Sequence, residues 1–165
     1  MRKLLALDQA SKTTGWAIFH DTQLVTYGHF TASNDDIGKR LFDIRNKVAD
    51  LIEEYEINEI VFEDIQLQDT QNVKVFKILA EVFGVIYELA TELQIPNTAV
   101  LASVWRSGLG INDASKRTVQ KQHDKDYVFK KYNIKPTEDE CDAICIGSYI
   151  IKKPAATSVD GFNWE

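Results

Sequence analysis

The chain has 165 residues, a formal charge of −6 at pH 7 and 44% hydrophobic residues, which suits one globular domain able to bury its own core. Its apolar runs are broken by charge well before the roughly 20 residues a membrane span needs, and Met1-Arg2-Lys3 runs straight into a strand, so no signal peptide is expected. The two cysteines, Cys141 and Cys145, lie one helical turn apart, which disfavours a disulfide framework or a zinc site and points to a reducing compartment, the cytoplasm.

The first apolar run, Leu4 to Leu7, ends on a single acid, Asp8. A short polar loop through Ser11, Lys12 and Thr13 follows, then Gly15 and a second apolar run. This predicts strand, tight turn, strand, with one carboxylate at the strand end. An acid there either caps the turn or does chemistry, and the choice depends on whether other acids converge on it. Thr14 to His20 and Leu24 to Thr31 read as a hairpin around Asp21-Thr22-Gln23. Ser33-Asn34 offers an N-cap, and Ile37, Leu41, Ile44, Val48, Leu51 and Ile52 recur at helical spacing up to about Tyr55. Asn58 to Glu63 reads as a buried parallel strand that ends on Glu63-Asp64. A βαβ unit of this kind turns the ends of its two strands the same way, so Asp8 and Glu63 are expected on one edge of the sheet.

A long helix is expected over residues 71–94, with Lys74, Lys77, Glu81, Gly84, Glu88 and Glu92 on one narrow line and apolar residues over most of the remaining circumference. One buried face does not need so much, so this helix is read as a self-association surface. A short strand is expected at Thr98 to Ala102, then a loop or short helix through Trp105-Arg106, then a basic helix capped by Asp113 or Ser115 and running to about Tyr132. From Ser103 to Lys135 eight basic residues stand against three acids, a local excess of five positive charges in an acidic protein. Because salt screens charge beyond about 8–10 Å, such a patch can bind phosphates whatever the distant acids do. Thr137 and Glu140 have the form of a capping box opening the last helix. Beyond Lys152-Lys153-Pro154 the sequence loses periodicity, and Trp164 there has no evident role.

Asp139 and Asp142, three apart, project from one helix face. With Asp8 and Glu63 they form four acids at one corner, an arrangement that demands cations. Two bare carboxylates about 4 Å apart repel by about 4 kcal/mol at an effective dielectric of 20. Two Mg²⁺ ions, with Mn²⁺ as a substitute, balance four negative charges with hard oxygen ligands and can drive phosphodiester hydrolysis.

The order of elements is similar to the RNase H-like fold. Leu-Asp-Gln-Ala-Ser-Lys-Thr-Thr-Gly around Asp8, Val-Phe-Glu-Asp around Glu63, and Asp139-Glu140-Cys141-Asp142-Ala143 resemble the catalytic motifs of RuvC-type Holliday-junction resolvases. The resemblance covers roughly residues 1–152 and leaves 153–165 as an irregular tail. It implies an α/β fold with a five-stranded mixed sheet, its first three strands antiparallel, flanked by helices. It also implies that Asp8, Glu63, Asp139 and Asp142 are the metal ligands of an endonuclease that resolves four-way or branched DNA by paired nicks, with no covalent intermediate. Arg106, Lys116 and Arg117 fall where the family has bases facing DNA, with Lys121 further along the same helix, and helix 71–94 falls where the family forms homodimers. Two departures are visible: Gln66 stands three residues after the second acid, where the family often carries an aromatic wedge, and the total charge is acidic. Together they suggest a divergent, phage-encoded member acting in the bacterial host cytoplasm on branched DNA of broad sequence. An RNA–DNA hybrid ribonuclease of the same fold and a non-catalytic branched-DNA-binding module are the alternatives. His20 and His29 are read as strand surface, His123 as surface of the basic helix with a phosphate contact as the alternative, Asp64 and Glu140 as neighbours of the acids, and Trp105 as a core anchor.

Overall fold

Leu4, Leu5, Ala6 and Leu7 are all fully buried, as a strand covered on both faces requires. They lie in β1 (Lys3–Asp8), the centre of the sheet in the computed structural model, which describes residues 1–67 and 72–157. β2 (Thr13–His20) and β3 (Gln23–Thr31) continue antiparallel from β1. The helix α1 (Ile37–Glu54) crosses to β4 (Glu59–Glu63), which runs parallel to β1. α2 (Val73–Glu92) leads to β5 (Asn97–Val100), parallel to β4, and α3 (Ala102–Leu109), α4 (Arg117–Tyr132) and α5 (Glu138–Ile150) follow. The strand order is β3-β2-β1-β4-β5, the expected mixed sheet with its first three strands antiparallel.

Alternation along β1 and β4 divides the core. Leu5, Leu7, Ile60 and Phe62 face Ile44 and Val48 of α1 and Val82, Ile86 and Leu89 of α2. Leu4, Ala6 and Val61 face the other way, toward Trp105, Val128 and the α5 residues Ala143, Ile144 and Ile146. Lying between the sheet and the α3/α4 layer, α5 is buried from Glu140 through Ser148. No helix of the described residues is long and apolar enough to cross a membrane.

Several boundaries differ from the sequence expectation. The N-cap of α1 is Asp36, whose carboxylate accepts from Lys39 N, while Asn34 turns its side chain to the N–H of Asp36 and forms a local turn. The described α2 begins at Val73 behind an Asn72 cap, and Gln71 of the expected helix lies outside the described residues. β5 starts one residue earlier than expected and ends at Val100, because its partner β4 ends at Glu63 and Ala102 already belongs to α3. Neither Asp113 nor Ser115 caps α4. Its N-cap is Lys116, without a side-chain bond, and Asp113 is drawn to His123 Nδ1 at 2.7 Å instead. The Thr137–Glu140 capping box of α5 is present. After α5 the chain is tied back to the far end of the sheet. Arg2 donates to Lys153 O at 2.8 Å, and Glu59 accepts both from Arg2 Nε at 2.5 Å and from Ala156 N at 3.1 Å. Residues 158–165, Trp164 among them, lie outside the described residues.

Candidate active site

β1 and β4 are parallel neighbours, so their final residues, Asp8 and Glu63, emerge at the same edge of the sheet. On the other side Asp8 pairs with Gly15 of β2. A Cβ at Gly15 would stand 2.0 Å from Asp139 O and 2.9 Å from Glu140 N. Only a residue without a side chain lets the first turn of α5 settle on β2 at this point. That contact sets Asp139 and Asp142 beside the strand ends. Glu140 serves to hold the turn: its Oε1 accepts from Thr137 N at 2.8 Å and its Oε2 lies 3.3 Å from His29 Nδ1. His29 pairs with Gly15 in the next strand, so it belongs to the same row across the sheet as Asp8. Asp64 bonds its neighbour, Ile65 N, at 2.8 Å.

Electrostatics show how closely the acids interact. Burial, followed by the charges of Asp142, Glu63 and, more weakly, Asp139, pushes the Asp8 carboxyl well above its usual range, with Lys121 opposing. Burial also lifts Asp142, to about 7, although the Lys121 ammonium is bonded to its Oδ2 and Asp124 adds a further upward push. Glu63 is raised by burial, while the Trp105 indole N–H, which donates to Oε2 at 3.1 Å, and the charges of Arg106 and Lys121 hold it down. Burial works against the charge of Lys121, but Asp142 and Asp8 keep its ammonium above the usual lysine range.

The other three predicted acids therefore all act on Asp8, and two of the predicted bases lie among them. Lys121 contacts Asp142, and Arg106 is bound to the fully buried Asp124 at 2.9 Å and stacked over Trp105 at 4.5 Å. Lys116 and Arg117 stand exposed at the start of α4. Gly15 and Asp124 escaped the sequence reading as functional positions, as did the bonding of Gln9 to Glu63. The Thr-Thr-Gly following Asp8 was the one visible signal among them, and it pointed to a turn rather than to a helix contact.

The donor set fits a hard divalent cation. It comprises four carboxylates, which offer oxygen alone, and Asp142 Oδ1 is buried without a hydrogen-bond partner. Among the described residues, no three His, Cys, Asp or Glu side chains lie close enough as placed to enclose an ion. Lys121 supplies the compensating charge in this arrangement.

The chain matches the family model for crossover junction endodeoxyribonuclease RuvC over residues 4–148. Among solved structures it is similar to Thermus thermophilus RuvC in complex with a Holliday junction substrate, at 14% identity and a TM-score of 0.70, covering 94% of this chain and 99% of that one. A second Thermus thermophilus RuvC structure matches at 16% identity and a TM-score of 0.72, over 89% of this chain and 92% of that one. The yeast mitochondrial Holliday junction resolvase Ydc2 matches at 14% identity and a TM-score of 0.57, over 92% of this chain and 78% of that one. No curated protein sequence shows significant similarity. At these identities the structural likenesses establish the RNase H-like fold, and the family model carries the activity. With that model spanning the acid-bearing strand ends and the helix that completes them, the chain belongs to the RuvC family of crossover junction endodeoxyribonucleases.

Proposed function

We propose that this chain resolves four-way junctions, and cuts other branched DNA, by paired nicks, with Asp8, Glu63, Asp139 and Asp142 as its catalytic metal ligands. The observation that carries this reading is the environment of Asp8 at the end of β1, which feels one acid from β4 and two from α5 at one edge of the sheet. Four acids against the one lysine in contact with them are costly and make chemical sense as a cation site. Two Mg²⁺ ions, or Mn²⁺ in their place, supply when bound an activated water and stabilisation of the leaving oxygen. Around that chemistry the protein orients. Thr137 and Glu140 fix the start of α5, and Lys121 balances the charge of Asp142.

Lys116 and Arg117, exposed at the head of α4, are suited to hold phosphates, and Arg106 and Lys121 would meet the backbone closer to the acids. A cleft beside Glu63, lined by Gln9, Gln66, Phe76, Leu101, Arg106 and Asn112, suits an opened strand. Gln66 offers it a polar amide rather than an aromatic wedge, which fits broad sequence tolerance. Homodimerisation through α2 is supported by its exposed Val73 and Val75 and by Gly84. A Cβ at Gly84 would meet nothing within 4 Å among the described residues. Glycine costs about 1 kcal/mol against alanine in mid-helix, so close approach of a second copy gives it a reason. A dimer would place one active site on each of two opposed strands. We assign the nuclease to residues 1–152, with 153–165 as a tail, acting in a bacterial host cytoplasm as a phage-encoded enzyme.

The test is Mg²⁺-dependent cleavage of a four-way junction, an RNA–DNA hybrid and a plain duplex side by side. Symmetric paired nicks in the junction are expected, and cutting of the hybrid alone would reject the assignment.

A further inference from the structure

Glu63 is held at two points. At its backbone, the ladder between β1 and β4 ends at Leu7 and Phe62, yet Gln9 carries it one step further with its side chain. The Gln9 carboxamide accepts from Glu63 N at 3.1 Å and donates to Glu63 O at 2.5 Å, the pair of bonds that a neighbouring strand would make. At its carboxylate, Oε2 accepts the indole N–H of Trp105 at 3.1 Å. Trp105 is fully buried and has no room to swing away. Its ring is covered by the Arg106 guanidinium, which Asp124 holds at 2.9 Å, and Asp124 in turn takes a bond from Gln120 Nε2 at 3.1 Å. Among the described residues Oε1 has no hydrogen-bond partner.

We propose that Gln9 and Trp105 are positioning residues that fix the main chain and the rotamer of Glu63, so that it presents a single oxygen, Oε1, to a metal ion. The inference rests on the proposed role of Glu63 as a metal ligand. A carboxylate whose second oxygen already accepts an N–H bond is less free to chelate one ion through both oxygens. Mg²⁺ keeps strict octahedral geometry, whereas Ca²⁺ accepts two oxygens of one carboxylate and higher coordination numbers. The Trp105 N–H therefore selects for the smaller ion, and Gln9 keeps the strand end from drifting while it does so. Such partners of a metal ligand typically govern affinity or rate by about 10–100-fold.

The experiment uses the full chain with Trp105→Phe, which removes the N–H and keeps the ring, Gln9→Met, which keeps the length and removes both bonds, Glu63→Gln, and Val128→Ala as a cavity control in the same core. Mg²⁺ and Ca²⁺ binding are titrated by calorimetry without DNA, and kcat and KM are measured on a junction. Trp105→Phe is expected to raise the ratio of Ca²⁺ to Mg²⁺ affinity about tenfold and to lower kcat by about 10–100-fold with KM little changed. Gln9→Met is expected to lower Mg²⁺ affinity and kcat about tenfold, and it carries the test if Trp105→Phe does not fold. Val128→Ala is expected to lose thermal stability with the metal ratio unmoved. Wild-type metal affinities in both positioning variants, alongside loss of Mg²⁺ binding in Glu63→Gln, would overturn the proposal. Wild-type Mg²⁺ binding in Glu63→Gln would instead overturn the assignment of Glu63 as a ligand.

Discussion

Replacing Gly15 with alanine is the sharpest perturbation the structure offers, because a single methyl would strike the backbone of the first turn of α5. The added Cβ would lie 2.0 Å from Asp139 O and 2.3 Å from its carbonyl carbon, whereas ordinary contact begins at 3.4 Å. Relief requires β2 and the first turn of α5 to part by about 1.4 Å. β2 is held by β1 on one side and β3 on the other, so the helix start is the part that moves. Overpacking of a tight core costs roughly 1–3 kcal/mol, which in a chain of this size lowers Tm by about 3–10 °C. The larger consequence falls on the chemistry. Asp139 and Asp142 ride on that turn, and a displacement of about 1 Å in a reacting group can cost on the order of 100-fold in rate. Junction cleavage under single-turnover conditions, junction binding by mobility shift and thermal unfolding are measured together for Gly15→Ala. Cleavage is expected to fall about 100-fold while binding stays within a few fold, since Lys116 and Arg117 sit on another helix. Cleavage within threefold of wild type at an unchanged Tm would refute the argument that this glycine seats the acids.

Asp8→Asn should abolish cleavage, leave junction binding intact and raise the metal-free Tm by removing a buried charge from the cluster; wild-type activity would dismiss Asp8 as a ligand. Because the folded protein holds Asp8 and Asp142 above their unfolded pKa values, it binds more protons than the unfolded chain above about pH 4, so their contribution is present at low pH and that of Asp142 is lost as pH rises through about 7. Metal-free Tm should therefore decline from pH 5 to pH 8, less steeply in Asp8→Asn, and a Tm that climbs over that interval would contradict the burial of these groups. Lys116→Ala with Arg117→Ala should reduce the slope of log affinity against log salt by about two and spare kcat at saturating junction. Val75→Glu, on the exposed face of α2, should shift sedimentation toward monomer and uncouple the paired nicks into single ones.

The main lines of the fold were legible because the signals are local. Leu4–Leu7 closes on one acid and Ile60–Phe62 on two, and α1 repeats its apolar residues at helical spacing. The capping box of α5 was readable for the same reason, being contained within four residues. What sequence could not show is contact across elements. Asp113 has the composition of an N-cap, but His123, ten residues away, competes for its carboxylate. Asp124 counted only as one acid in a basic stretch until folding buried it against Arg106. The Lys121–Asp142 pair spans 21 residues, and the bonds of Gln9 to Glu63 span 54. No periodicity marks such pairs, because each depends on how far a side chain reaches after the sheet and helices have packed.

The seating of α5 on β1 and β2 also orders events in time. The meander of β1, β2 and β3 is complete within the first 31 residues and can pair as soon as it is made. Asp8 is in place from that moment, but half of the acids arrive with the last helix, more than 100 residues later. At typical synthesis rates of about 5–20 residues per second, a growing chain spends several seconds or more with the sheet forming and the acid cluster incomplete. With Asp139 and Asp142 as the proposed ligands, the nuclease would stay inert during its own translation, and fragments that stop short of α5 would carry the fold's beginning without its scissors.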